Sequence, residues 1–142
     1  MQEGTVLCFD FGLARTGVAS GNTLTRSAQP VTIIHARTND ERWKAVEALV
    51  KEWEPVLLVV GVPRHGDGTD CDLTPRCERF ARQLGGPLRP PRAHRRGPFR
   101  LPVRTVDERF SSVMVEHGAD KIDDEAAAVI LQQYFDEQDA VA

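Results

Sequence analysis

The sequence predicts an α/β chain built on a mixed five-stranded sheet, with three antiparallel strands followed by two parallel ones and helices on both faces. Three observations carry this. Two continuous apolar runs, Val6-Leu7-Cys8-Phe9 and Val56-Leu57-Leu58-Val59-Val60, read as strands covered on both faces. A helical pattern stands between them, so a crossover connection should lay them parallel. Short β-branched or glycine-punctuated segments lie between the first run and that helix, close enough in sequence to form an antiparallel meander.

In chain order, Thr5 to Asp10 is the first and central strand, and it ends abruptly in a carboxylate. Gly17-Val18-Ala19-Ser20 is the second, after a Gly12–Gly17 loop whose glycines permit positive φ. Val31-Thr32-Ile33-Ile34 is the third. A helix follows, with Thr38 and Glu41 in capping-box spacing and Trp43, Val46, Leu49, Val50 and Trp53 along one side; Pro55 stops it. Val56 to Gly61 is the fourth strand, and Val62 to Thr69 is expected to be a polar, glycine-rich loop at its end. Thr74-Pro75 has the form of an N-cap and first helical residue, and Gly85-Gly86 closes that helix. Pro87 to Arg104 then holds five of the nine prolines and six arginines with no acid, which excludes a regular helix and reads as an extended basic insertion at about 87–102. The fifth strand, Val103 to Val106, leads into Asp107-Glu108-Arg109. A short helix is expected from Ser111 or Ser112, and a strong one over Asp123–Phe135, acidic in its first turn and apolar along one side.

The totals fit one domain of 142 residues. A net charge of −3 excludes a uniformly basic nucleic-acid binder but permits a local basic patch. Three cysteines, Cys8, Cys71 and Cys77, form no disulfide framework and read as reduced thiols in a cytoplasmic protein. No signal-peptide pattern opens the chain, and no apolar run approaches the roughly 20 residues of a membrane helix.

Three acids stand out because they share one predicted place. Asp10 ends strand one, Glu108 lies just past the fifth strand, and Asp123 or Asp124 opens the last helix. In a sheet where strands one, four and five run parallel, their C-terminal ends open on one edge, where such sheets bind ligands. Acids gathered there repel unless a cation joins them, and Mg²⁺ or Mn²⁺ takes oxygen ligands. Paired divalent ions activate water and stabilise the leaving oxygen in phosphodiester cleavage. Each acid alone also has an ordinary reading as a cap or turn residue; their conjunction is what favours a metal site.

The chain resembles the YqgF family, also called RuvX, of the RNase H-like superfamily. The resemblance rests on Phe9-Asp10-Phe11-Gly12 with Gly17-Val18-Ala19, on Val60-Gly61-Val62-Pro63 with Asp67-Gly68-Thr69, on Asp107-Glu108-Arg109-Phe110-Ser111-Ser112, and on Asp123-x-x-Ala126-Ala127-x-x-Ile130-Leu131-Gln132. It implies an RNase H-like fold, metal-binding and catalytic roles for Asp10, Glu108 and Asp123, and divalent-metal-dependent hydrolysis of nucleic acid. Precursor 16S rRNA trimmed at its 5′ end is the preferred implied substrate and a branched DNA junction the second; a non-catalytic binding or ribosome-assembly module is the third reading. The chain departs from the family in three places. Leu13 and Ala14 stand where a hydroxyl residue and a lysine are usual, the 87–101 segment is longer and more basic, and the stretch between Ser112 and Asp123 is shorter.

From Val106 onward ten acids face two bases, so phosphate contacts are expected elsewhere. Arg89, Arg92, Arg95, Arg96 and Arg100 of the insertion are free of local acids and are candidates for a positive arm beside the acidic centre. Arg15, Arg64 and Arg109 are the candidates closer to it. No stripe of residues selects between monomer and homodimer.

Overall fold

The computed structural model of the chain describes residues 3–85, 101–110 and 124–141. Five strands, β1 (Thr5–Asp10), β2 (Arg15–Asn22), β3 (Ala28–His35), β4 (Leu57–His65) and β5 (Val103–Phe110), form one sheet in the order β3-β2-β1-β4-β5. β1 runs antiparallel to β2 and β2 to β3, whereas β4 runs parallel to both β1 and β5. This is the predicted mixed α/β sheet. Helices α1 (Asn39–Trp53) and α2 (Thr74–Leu84) cover one face, and α3 (Asp124–Val141) covers the other. The expected helix from Ser111 or Ser112, Asp123, and most of the basic insertion lie outside the described residues.

Strand alternation divides the core in two. Leu7, Phe9 and Phe11 of β1 and its end meet Leu58, Val60 and Val62 of β4, with Phe80 and Leu84 of α2 and Val46 of α1. Val6 and Cys8 point the other way, with Leu57, Val59 and Val106, onto Ala127, Ile130, Leu131 and Phe135 of α3. Period two thus sets which helix layer each side chain serves. Trp43 packs on Phe80 with ring centroids 5.6 Å apart, in line with its helical spacing.

The caps follow local chemistry with one exception. Thr38 Oγ1 accepts from Glu41 N at 3.2 Å and opens α1; Glu54, in the left-handed region at φ 47°, closes it ahead of Pro55. Gly85 closes α2 at φ 115°. Thr74, however, is not the N-cap of α2: Leu73 holds that position without a side-chain bond. The fully buried Thr74 hydroxyl instead donates to the Pro63 carbonyl and accepts from Cys71 N at 2.9 Å. A buried carbonyl at the end of β4 needs a donor, and that demand outweighs the cap.

The strands are longer than hydrophobicity indicates. β2 starts at Arg15, inside the expected loop, and β4 continues through Val62-Pro63-Arg64 to His65. β5 likewise includes Asp107 to Phe110, so Glu108 lies within a strand and not beyond one. Pairing explains this: Val62↔Asp107, Pro63↔Glu108, Arg64↔Arg109 and His65↔Phe110 continue the parallel ladder past the point where β1 ends. Pro63 is tolerated because β4 has outrun β1, whose last partner in it is Val60.

Candidate metal and nucleic-acid site

Asp10 closes β1 on the same face as Val6 and Cys8, toward α3. Glu108 follows Val106 by two residues and therefore points to that face as well. Between their strands lies β4, and the residue on this face at the matching level is Gly61, paired with Val106. Its missing side chain is what makes room. A Cβ there would stand 2.7 Å from Ile130 Cδ1 and 3.3 Å from Glu108 Oε2.

The electrostatics agree with this closeness. Burial pushes the Glu108 carboxyl up to about 8, and the charge of Asp10 adds to the effect. Burial also raises the Cys8 thiol, and Asp10 and Glu108 then raise it further. Both acids thus bear on one buried thiol at the bottom of the site. Among the described residues no group of three or more His, Cys, Asp or Glu side chains has a metal-binding arrangement. Asp123, the third predicted ligand, lies outside the described residues; its chain position is directly ahead of α3, the helix that covers this face.

The predicted basic residues divide. Arg15 opens β2 and is exposed at the edge where β1 ends, since Gly17 pairs with Asp10. Arg64 points to the opposite face and is held by three acids. Its Nη1 pairs with Asp70, its Nη2 lies 3.6 Å from Glu78 Oε2, and its Nε lies 3.3 Å from Asp107 Oδ1. Arg64 is therefore a clamp joining β4, the following loop, α2 and β5, with its donors already engaged. Arg89, Arg92, Arg95, Arg96 and Arg100 lie outside the described residues, as does the Arg109 side chain. Asp67 shapes the loop after β4, accepting from Thr69 N at 2.9 Å and Thr69 Oγ1 at 2.6 Å.

This clamp sets an expectation. Arg64→Gln should lower Tm by about 2–4 °C, the effect of a roughly 1 kcal/mol loss in a chain of this size class. Because several carboxylates are then left facing one another, the difference should shrink as salt is added. An unchanged Tm at low salt would show that the three pairs hold nothing in place.

From the sequence Gly61 stood out only within a motif, and Arg42, on the opposite face of the sheet, was not singled out, though signals for both exist. Gly61 interrupts a buried apolar strand, a mark of close approach by another group. Arg42 precedes Val46, Leu49 and Trp53 at helical intervals, on the stripe that α1 buries, and it is only 5% exposed.

A RuvX family model, described as Holliday junction resolvase, matches residues 4–137. The chain is 46% identical over 147 residues to a protein of Burkholderia vietnamiensis named "Putative pre-16S rRNA nuclease", covering 96% of this chain and 91% of that one. Proteins of the same name from Paraburkholderia xenovorans and Paraburkholderia phymatum are each 45% identical over 142 residues, covering 95% of this chain and 90% and 87% of theirs. No helix among the described residues is long and apolar enough to cross a membrane.

Proposed function

The chain belongs to the RuvX family, and from that membership we propose that it is a divalent-metal-dependent endonuclease that trims the 5′ end of pre-16S rRNA in the cytoplasm. The observation that carries the metal-dependent part is that Asp10 and Glu108 share one face of the sheet at the C-terminal edge of the parallel strands, close enough for the charge of Asp10 to raise the Glu108 carboxyl. The relatives' names favour the RNA substrate.

The residues present fit a hard divalent cation such as Mg²⁺ or Mn²⁺. Two carboxylates converge on one face, one of them buried enough to resist ionisation without a counter-charge. Asp10 and Glu108 would hold the ion, with Asp123 as the third ligand. When bound, the ion supplies Lewis-acid polarisation of a phosphoryl oxygen and lowers the pKa of a coordinated water. The protein's own part is positioning. Gly61 leaves the gap that Ile130 enters and that Glu108 borders. Gln133 Nε2 donates to the Asp107 carbonyl at 3.2 Å and ties the end of β5 to α3. On the other face, Arg64 holds the Asp107 side chain, so the residue directly before Glu108 is anchored to both layers. Partial burial of Glu108 keeps bulk water from screening its charge.

The test is cleavage by the purified chain with Mg²⁺, comparing a pre-16S fragment carrying its 5′ extension with a four-way DNA junction. Cleavage of the RNA, abolished by EDTA and restored by Mg²⁺ or Mn²⁺, is expected. The family description favours one second reading, resolution of Holliday junctions; cutting of the junction alone would put that reading first. Binding of RNA with no cleavage under any divalent ion would leave a ribosome-assembly module.

A further inference from the structure

A pocket of about 90 Å³ opens between α1 and α2, beside Phe11, the residue that follows Asp10. Asn39, Arg42, Arg76, Arg79 and Gln83 supply its polar lining, and no carboxylate lines it. Arg42 is the fixed point. Its Nη1 donates to Asn39 Oδ1 at 2.6 Å and its Nη2 to the Leu13 carbonyl at 2.7 Å, while its guanidinium lies 4.8 Å from the centre of the Phe11 ring. Its Nε is buried with no acceptor among the described residues. Among the described residues every partner it has is uncharged, although a guanidinium removed from water is costly without a counter-ion. Arg76 and Arg79 are exposed, and among the described residues neither forms an ion pair. The contrast with Arg64, which three carboxylates surround, is direct.

Resting on the nuclease reading, we propose that this pocket binds a backbone phosphate of the RNA substrate, other than the one that is cleaved. Three guanidiniums line one opening, and a phosphate supplies the anionic oxygens that such donors bind. The volume exceeds the ~10–15 Å³ that one water requires, so a phosphate and its first oxygen shell have room. Placement excludes the scissile phosphate. Asp10 faces the α3 side of the sheet, whereas Phe11 belongs to the core on the α1 and α2 side. A strand crossing the sheet edge meets the acids on one side and the pocket on the other. The Arg42 bond to Leu13 O also ties the pocket to the loop after Asp10, where Leu13 and Ala14 offer no hydroxyl or cation of their own.

The experiment measures binding of a pre-16S fragment to the full chain carrying Asp10→Asn, so that cleavage does not intervene. Arg76→Gln with Arg79→Gln removes two exposed side chains and leaves the core intact. The expected result is a loss of affinity of about tenfold or more, the scale of hydrogen bonds to charged groups. The salt dependence of log K should become shallower by about 0.7, the value for one single-strand phosphate contact. Lys44→Gln with Arg82→Gln, the same change of charge on exposed positions outside the pocket, should leave most of the affinity in place. Equal losses in the two double variants, or no loss in the first, would overturn the pocket while leaving the nuclease reading intact. Inorganic phosphate raising Tm of the unsubstituted chain but not of the Arg76/Arg79 variant, with RNA affinity equal in both, would make it a site for free anions and likewise reject the assignment. If the unsubstituted chain neither binds nor cuts the RNA, the pre-16S reading falls, and the pocket assignment with it.

Discussion

Asp10→Asn combined with Glu108→Gln should reduce Mg²⁺-dependent cleavage of pre-16S RNA by at least about a thousandfold, roughly 4 kcal/mol of transition-state stabilisation. The pair replaces both described carboxylates with isosteric amides, so the fold should persist while the hard, anionic oxygen ligands are lost. Stability supplies a readout that does not depend on activity. Mg²⁺ at 100 times its Kd should stabilise the unsubstituted chain by about 2.7 kcal/mol, seen as a rise in Tm, and should leave the double variant unmoved. Cleavage at the original rate in the variant would sink the metal-site mechanism. The same carboxylate predicts a pH dependence in metal-free buffer. Glu108 holds its proton up to about 8 in the folded chain, against an ordinary value of 4.5. Between those values the folded state binds more protons than the unfolded state, so stability falls as pH rises through the window. Glu108→Gln should flatten that fall; a curve that stays equally steep would mean that another group causes it.

Gly61→Ala should cost about 1–3 kcal/mol of stability, as overpacking of a filled core does. It should also lower activity by about tenfold, since a shift of a few tenths of an ångström at Glu108 is a fraction of the 1 Å that costs on the order of 10². The added methyl meets Ile130 Cδ1 at 2.7 Å and Glu108 Oε2 at 3.3 Å, so the two effects have different causes. Ile130→Val removes the Cδ1 atom, and in the Gly61→Ala background it should restore much of the stability while activity stays low. Recovery of both together would show that Gly61 serves only the packing of α3 and has no separate role in placing Glu108.

The place of Asp10 was legible because it depends on one strand: an apolar run with an acid at its end marks both a central strand and its exit. The order and direction of the strands were legible for a similar reason, since meander and crossover follow from the lengths and periods of the intervening segments. The boundaries at the site were not. Pro63 and Arg64 resemble loop residues when read in isolation, and only the ladder to Asp107, Glu108 and Arg109 makes them strand. Strand length is a property of a pair, and hydrophobicity reports on one member of it.

Charge partners show the same divide more sharply. Arg64 was a candidate phosphate contact from its place in the loop expected after β4, yet Asp70, Glu78 and Asp107 converge on it from three elements. Arg42 gave the opposite case: acids at Asp40 and Glu41 adjoin it in sequence, while in space it faces Asn39, a carbonyl and a ring. By itself the sequence determined the sheet, the presence of helices on both its faces, the end of β1 at Asp10 and the family to which the chain belongs. Only the tertiary structure decided that the gap at Gly61 admits Ile130 and borders Glu108, which arginines are neutralised and which still face an open pocket. Apolar periodicity is a local property that the chain carries along its length, whereas electrostatic pairing and close packing depend on which distant residues the fold brings within a few ångströms.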